Sequence, residues 1–168
     1  QALKRRGYGV WANDINAYAL ALARCYVEAD ARVVAADVKA LVDEFNGVAD
    51  EIHIHFPWGS LLKAVARADV SVLTSLRRIA APACLLELVI GIDPDRDRSE
   101  LDRLDIPELT PVFLHSFLIP KYIAAGFEFV EARPLSHSEW SAIETSWARK
   151  LQTSTGRTVL LLVFKTPP

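Results

Sequence analysis

The side chains best placed to do chemistry gather at one corner of the sequence, Phe56-Pro57-Trp58-Gly59-Ser60. The run before it, Ile52-His53-Ile54-His55, alternates as a strand does, and the run after it, Leu61, Leu62 and Val65, repeats as a helix does. Pro57 fixes its own φ and biases Phe56 away from the helical region, so a strand must stop there. Gly59 lets the backbone turn or approach a ligand closely. Ser60 is the expected N-cap of the following helix. Trp58 is left at a strand-to-helix turn, where open α/β sheets bind ligands, and a flat aromatic there suits a planar one. The alternative is that Trp58 only caps the core beneath a loop.

Two acids occupy comparable places. Asp14 ends the apolar stretch Tyr8–Asn13, and Asp37 ends Arg32–Ala36. A strand-end carboxylate can accept hydrogen bonds from ribose hydroxyls or an adenine amino group, and it can equally N-cap the next helix. A second aromatic segment comes late, where Ser136-His137-Ser138-Glu139-Trp140 precedes Glu144-Thr145-Ser146-Trp147-Ala148-Arg149-Lys150-Leu151. Its plain structural alternative is an amphipathic helix with Trp147 inward and the cations outward. His53 and His55 share a strand face, which suggests metal ligands. No second pair of ligands accompanies them and a half-exposed face explains them, so no metal is expected. His115 and His137 are isolated. No nucleophile elbow and no phosphate-binding Walker loop occurs.

The elements that must position these residues alternate between strand and helix. Strands are expected at Tyr8–Asp14, Arg32–Asp37, Asp50–His55, Ala83–Ile92, Phe127–Ala132 and Val159–Lys165. Helices are expected at Ile15–Glu28, at Leu61–Ala80 with a break near Asp69, and at Ser116–Ala125, closed by Gly126. Val38–Phe45 is a short helix or loop. The near-unbroken apolar run Ala83–Ile92, interrupted only by Glu87, marks a strand covered on both faces. Asp93–Arg98 reads as a charged loop, and Leu101–Pro111 as irregular with a short helix at most. The alternation implies an α/β, mostly parallel sheet.

The chain has 168 residues, 51% of them hydrophobic and 24% charged, with a formal net charge of −2. That is an ordinary globular profile, and the charge argues against a surface built wholly for nucleic acid. Cys25 and Cys84 lie in apolar segments without metal-like spacing and read as buried thiols in a reducing compartment. No apolar run is long enough for a membrane span, and no signal-peptide pattern is present, so a cytoplasmic protein is expected. Gln1–Gly7 reads as the end of a helix closed by a glycine, as though the chain were cut upstream.

The string Phe56-Pro57-Trp58-Gly59-Ser60-Leu61-Leu62 resembles the Phe-Pro-Trp-Gly-Ser/Thr-Leu-Leu motif of the aminoglycoside-resistance 16S ribosomal RNA methyltransferases that modify N1 of a decoding-site adenine. Thr145-Ser146-Trp147-Ala148-Arg149-Lys150-Leu151 is similar to the same family's second motif, a Ser-x-Trp followed by a small residue, two cations and Leu. The resemblance runs from about Gly7 to Phe164. It implies one Rossmann-like, class I methyltransferase domain over residues 1–168, with an antiparallel last strand. The first strand and the glycine-rich cofactor loop would be missing from it. It also implies that 134–156 is an insert before the last strand forming part of the substrate site.

The resemblance further implies S-adenosylmethionine as cofactor and 16S rRNA in the small ribosomal subunit as partner. Trp58 and Trp147 would clamp an extruded adenine, the catalytic core of the site. Asp14, Asp37, Val38, Phe56, Pro57, Ser60 and Thr145 would contact the cofactor. Arg149, Lys150 and Arg157 would contact RNA phosphate. The helix after Asp14 carries only Arg24 as a cation where RNA-docking members are Lys-rich. Two other readings therefore stay open at this point: a methyltransferase of a smaller planar substrate, and an inactive nucleotide-binding remnant.

Overall fold

The computed structural model describes residues 11–13, 32–34, 43–143 and 157–168. By contacts the chain forms two units, Gln1–Val42 and Asp43–Pro168. In the first, β1 (Trp11–Asn13) pairs in parallel with β2 (Arg32–Val34), Ala12 opposite Val33. These are the described parts of the first two expected strands. The expected helix Ile15–Glu28 lies outside the described residues.

The second unit begins with a 3-10 turn, Asp43–Phe45, and β3, Ala49–His55. Two helices follow, α1 (Gly59–Ala66) and α2 (Val70–Ile79), then β4 (Ala80–Ile92) and α3 (Arg98–Leu104). A continuous helical stretch comes next: α4 (Pro111–Phe113), a π turn (Leu114–Leu118) and α5 (Ile119–Ala124). The unit ends with β5 (Glu128–Pro134), α6 (His137–Ser141) and β6 (Thr158–Lys165).

The expected break near Asp69 separates α1 from α2. Ala68 takes φ 54°, and the Asp69 carboxylate accepts hydrogen bonds from the Ser71 and Val72 N–H groups at 3.0 and 3.2 Å. This is an ordinary N-cap, which satisfies donors left over at the start of α2. β4 starts three residues earlier than the apolar run suggests. The extension Ala80–Pro82 reaches β3 only through a register shift, and Ala83 at φ 57° marks the kink.

The sheet order is β3-β4-β6-β5. β3 and β4 are parallel, whereas β6 runs antiparallel to both β4 and β5. The expected antiparallel last strand is therefore present, inserted between β4 and β5. The carboxyl ends of β3, β4 and β5 and the start of β6 consequently share one edge.

Residues opposite one another in the ladder share a face. One face carries Ile52, Ile54, Leu86, Leu88, Ile90, Leu162 and Phe164. The buried residues of α1, α2 and α5 complete that core, including Leu62, Val65, Val72 and Leu76. Tyr122 stacks on Phe164 at 4.5 Å, and its hydroxyl donates to the Val65 carbonyl at 3.1 Å. Burying each such side chain stabilises by roughly 1.5–3 kcal/mol. Cys84 is a free, buried thiol pushed up to about 11 by burial, as expected of an inert core cysteine. Cys25 lies outside the described residues.

The other face is divided. Toward the carboxyl edge it is apolar: Phe56, Val89, Trp140, Val159, Leu161 and Val163 form one cluster. Farther back on β3 and β4 it carries Glu51, His53, His55 and Glu87.

Candidate active site

The corner after β3 is built against backbone strain. Phe56 has φ 50°, a left-handed conformation that costs a side-chain-bearing residue about 1–2 kcal/mol. Three contacts hold it there. Its N–H donates to the Val89 carbonyl at 2.7 Å. Its ring is buried edge-on against Trp140, with centroids 6.2 Å apart. The ring also lies flush on Gly91 of β4, where a Cβ would meet Phe56 Cδ1 at 3.1 Å. Gly91 is therefore a seat for the corner.

Beyond Phe56 the chain runs through buried Pro57 to Trp58, whose residue surface is 40% exposed. Gly59 follows at φ 58°, with nothing within 4 Å of where a Cβ would stand. Ser60 is exposed. The expected cap role of Ser60 is corrected. Trp58 is the N-cap residue, extended at φ −136° and ψ 162°, and no side chain caps the helix. The turn at Gly59 brings the Leu62 N–H to the Trp58 carbonyl at 3.5 Å, so the helix starts before Ser60 can cap it. Phe56 is not free to present its ring to a ligand, because that ring belongs to the core. Main chain at Phe56, the Trp58 ring and the Ser60 hydroxyl are what the corner can offer.

The late insert is anchored at the same edge. Ser136 and Glu139 form a capping box at the start of α6: the Ser136 hydroxyl accepts from the Glu139 N–H, and Glu139 Oε2 accepts from the Ser136 N–H at 2.8 Å. Arg133 donates to Glu139 Oε1 at 2.8 Å. The Ser136 hydroxyl first, then its N–H and Arg133, hold the Glu139 carboxyl down to about 2. Trp140, only 3% exposed, is thereby set into the cluster beneath Phe56, with the His137 ring edge-on at 4.8 Å.

The far end of the insert is pinned by Arg157. Its guanidinium donates to the Gly91 carbonyl at 2.8 Å and to Asp97 Oδ2 at 2.8 Å, and its side chain is 6% exposed. Arg157, expected from the resemblance to contact RNA phosphate, is as folded one half of an internal ion pair. Asp97 also accepts from the Asp93 N–H at 2.9 Å, while Asp93 Oδ1 accepts from the N–H groups of Asp95 and Arg96. The segment read as a charged loop is thus organised around two buried acids.

Trp147, Thr145, Arg149 and Lys150 lie outside the described residues, as do Asp14, Asp37 and Val38. Of the residues picked out from sequence, the structure brings together Phe56, Pro57, Trp58, Ser60 and Arg157 at one edge. Gly91, Asp97 and Trp140 were not picked out as site residues. Only the Ser136-x-x-Glu139 spacing before Trp140 is a local signal that could have flagged one of them.

Residues 29–166 match the family described as NpmA, 16S rRNA (adenine(1408)-N(1))-methyltransferase. A 16S rRNA (adenine(1408)-N(1))-methyltransferase of Streptoalloteichus tenebrarius is 31% identical over 107 residues, which cover 64% of this chain and 49% of that protein. The chain spans about half the length of the curated relatives it matches. Among solved structures, the aminoglycoside resistance methyltransferase NpmB1 superposes with a TM-score of 0.75 at 32% identity, over 94% of this chain and 75% of that one. A mutant of the 16S rRNA (adenine(1408)-N(1))-methyltransferase from Catenulisporales acidiphilia, solved with cosubstrate SAM, superposes with a TM-score of 0.69 at 32% identity, over 81% and 62% of the two chains.

Proposed function

The chain belongs to the family of 16S rRNA (adenine(1408)-N(1))-methyltransferases, and on that premise we propose that it methylates N1 of an adenine in the 16S rRNA of the small ribosomal subunit and so confers aminoglycoside resistance. S-adenosylmethionine is the proposed cofactor; when bound it supplies an electrophilic methyl group on a sulfonium. The observation that carries this reading is Trp58, a large aromatic residue left 40% exposed at the carboxyl edge of the sheet just after the buried Phe56 and Pro57. A ring already packed in the core could not stack on a base.

Adenine N1 carries an in-plane lone pair, so no side chain need remove a proton to activate it. The work left to the protein is to hold the ring in line for transfer and to keep it from rotating. Trp58 stacks on the extruded base from one side, and Trp147 is proposed for the other. The uncrowded Gly59 and the exposed Ser60 hydroxyl fit a small polar ligand beside that ring. Roles for Asp14, Asp37, Val38 and Thr145 toward the cofactor rest on the motif resemblance alone, as do phosphate contacts by Arg149 and Lys150. Arg157 could join them only by releasing Asp97. No described helix is long and apolar enough to cross a membrane, and the cytoplasm is the proposed location because the ribosome is there.

The test is methyl transfer to isolated small subunits with the natural full-length protein. Stacking contributes roughly 1–3 kcal/mol, so Trp58→Ala should lower kcat/KM about ten- to hundredfold, while Trp58→Phe recovers most of it. Cofactor affinity should stay within about twofold in both. Methylation unchanged in Trp58→Ala would remove the base-stacking role. Methylation of free nucleosides but not of subunits would favour a small-substrate enzyme.

A further inference from the structure

Behind the corner, on the same face of the sheet, two histidines of β3 meet an acid of β4. The β3–β4 register sets His53 directly opposite Glu87, and His55 shares their face. Glu87 Oε1 lies 2.6 Å from His55 Nε2 and 3.3 Å from His53 Nδ1. The other nitrogen of His53, Nε2, lies 2.9 Å from Glu51 Oε2. All four side chains are partly shielded, at 20–30% exposure.

Both ring nitrogens of His53 therefore face carboxylate oxygens. A neutral imidazole has one N–H and one lone pair. If the N–H points to Glu51, the His53 Nδ1 lone pair is left against an oxygen of Glu87, and the contact is repulsive unless a cation lies between them. Two carboxylates around two neutral imidazoles also leave two negative charges in one partly shielded patch. A second proton on the ring is one remedy. A divalent metal is the other, and the donor set suits it: two imidazole nitrogens and one carboxylate oxygen, all within 4.8 Å of one another.

We propose that His53 Nδ1, His55 Nε2 and Glu87 form a binding site for a borderline divalent metal of the zinc type, with Glu51 orienting His53 through its Nε2–H. Metal bonds of about 2.0–2.2 Å in a tetrahedron put ligand atoms roughly 3.3 Å apart. Glu87 Oε1 and His53 Nδ1 have that spacing, whereas the 2.6 Å hydrogen bond between Glu87 Oε1 and His55 Nε2 must open, with the His55 proton moved to Nδ1, to admit the ion. The Glu51–His53 contact is the outer-shell carboxylate that metal-bound histidines ordinarily use to fix their tautomer. The fourth position is left to water. The bound ion would staple β3 to β4 next to Phe56, so its role is to stiffen the corner. The proposal does not rest on the methyltransferase reading and stands or falls apart from it.

The experiment is a calorimetric titration of chelator-treated protein with zinc sulfate. The expected result is one ion per chain with a Kd in the micromolar range or tighter. His55→Ala and Glu87→Gln should each weaken it at least tenfold, with circular dichroism unchanged. Glu51→Gln, which leaves the three ligands in place, should weaken it about tenfold. In the unmutated protein, added zinc should shift the imidazole nitrogen resonances of His53 and His55 and leave those of exposed His115 and His137 in place. This arm needs no variant to fold. No binding below millimolar zinc, shifts confined to His115 or His137, or affinity unaltered by both His55→Ala and Glu87→Gln would overturn the site.

Discussion

Trp58 and Trp140 both stand at the carboxyl edge of the sheet, one after β3 and the other in the helix after β5, and the protein uses them in opposite ways. Trp140 is 3% exposed and packed on Phe56, while Trp58 is 40% exposed with an uncrowded glycine beside it. The inner ring fixes Phe56 in its left-handed conformation, and Phe56 with Pro57 fixes where the outer ring stands. One aromatic supplies rigidity so that the other can remain open without being loose. A site that depends on stacking needs both, because an exposed ring on a mobile loop would lose much of its stacking energy to ordering.

The sharpest way to break this comparison is to truncate each ring and read stability. Trp140→Ala removes the partner of Phe56 from a cluster with little freedom to collapse, and should cost about 3–5 kcal/mol. Trp58→Ala should stay within about 0.5 kcal/mol, as exposed positions do. Urea unfolding of the two variants measures both. Equal losses would mean that Trp58 is a core residue after all.

A somewhat smaller effect is expected on the opposite side of the corner. Asp97→Ala strips Arg157 of its carboxylate while its side chain remains nine-tenths buried, with the Gly91 carbonyl still accepting from it. Breaking a buried pair from one side costs about 3 kcal/mol or more, since the uncompensated charge stays behind. Asp97→Asn, which keeps an acceptor oxygen, should lose less. The pair also bears on RNA binding: Arg157 faces inward, so Arg157→Ala should change the salt dependence of RNA affinity less than Arg149→Ala or Lys150→Ala does.

How much of this was legible in the sequence depended on whether the signal was local. The alternation Ile52-His53-Ile54-His55, the stop at Pro57 and the turn at Gly59 act within a few residues, and β3 and the corner were readable from them. The apolar run of β4 and the break at Asp69 were readable for the same reason. The Asp97–Arg157 pair joins groups 60 positions apart, so Asp97 looked like one more charge in a solvated loop. Glu87 looked like an interruption in a buried strand. Only the β3–β4 register shows that it answers His53 and His55. Nothing periodic distinguishes Trp58 from Trp140 either, since which ring is covered depends on where α6 lands on the sheet. Ser60 was misread because a serine before an apolar run is a good cap on average, while here the turn at Gly59 starts the helix first.

Gly91 tests the seat of the corner directly. In Gly91→Ala the new Cβ would stand 3.1 Å from Phe56 Cδ1 and 3.4 Å from Arg157 Cδ. Phe56 cannot retreat, because Trp140 lies behind it, so the strain should appear as about 1–2 kcal/mol of lost stability. It should also move Trp58. The informative readout is the emission of Trp58 in a background with Trp11, Trp140 and Trp147 replaced by Phe, compared with and without Gly91→Ala. An alanine tolerated with no change in stability or emission would show that the corner is not seated on β4.

The smallest expected effect lies at the start of the insert. Glu139 has its carboxyl held at about 2, below the ordinary value of 4.5, first by the Ser136 hydroxyl, then by the Ser136 N–H and by Arg133. A carboxyl whose folded pKa is depressed adds stability above its unfolded value and loses that contribution as pH falls through the folded value. The capping box should therefore contribute fully above about pH 4.5 and fade progressively toward pH 2. Solvent screens this exposed group, so the effect should be slight globally and clearer locally. Two measurements check it. The difference in melting temperature between the unmutated protein and Glu139→Gln should be constant at neutral pH and shrink below pH 4.5, because glutamine can accept the backbone bond but carries no charge. The Ser136 amide resonance should titrate with a midpoint near 2 rather than near 4.5. If that amide follows an ordinary carboxylate, or the melting difference ignores pH, then Glu139 does not anchor the insert, and Trp140 must hold its place beneath the corner through packing alone.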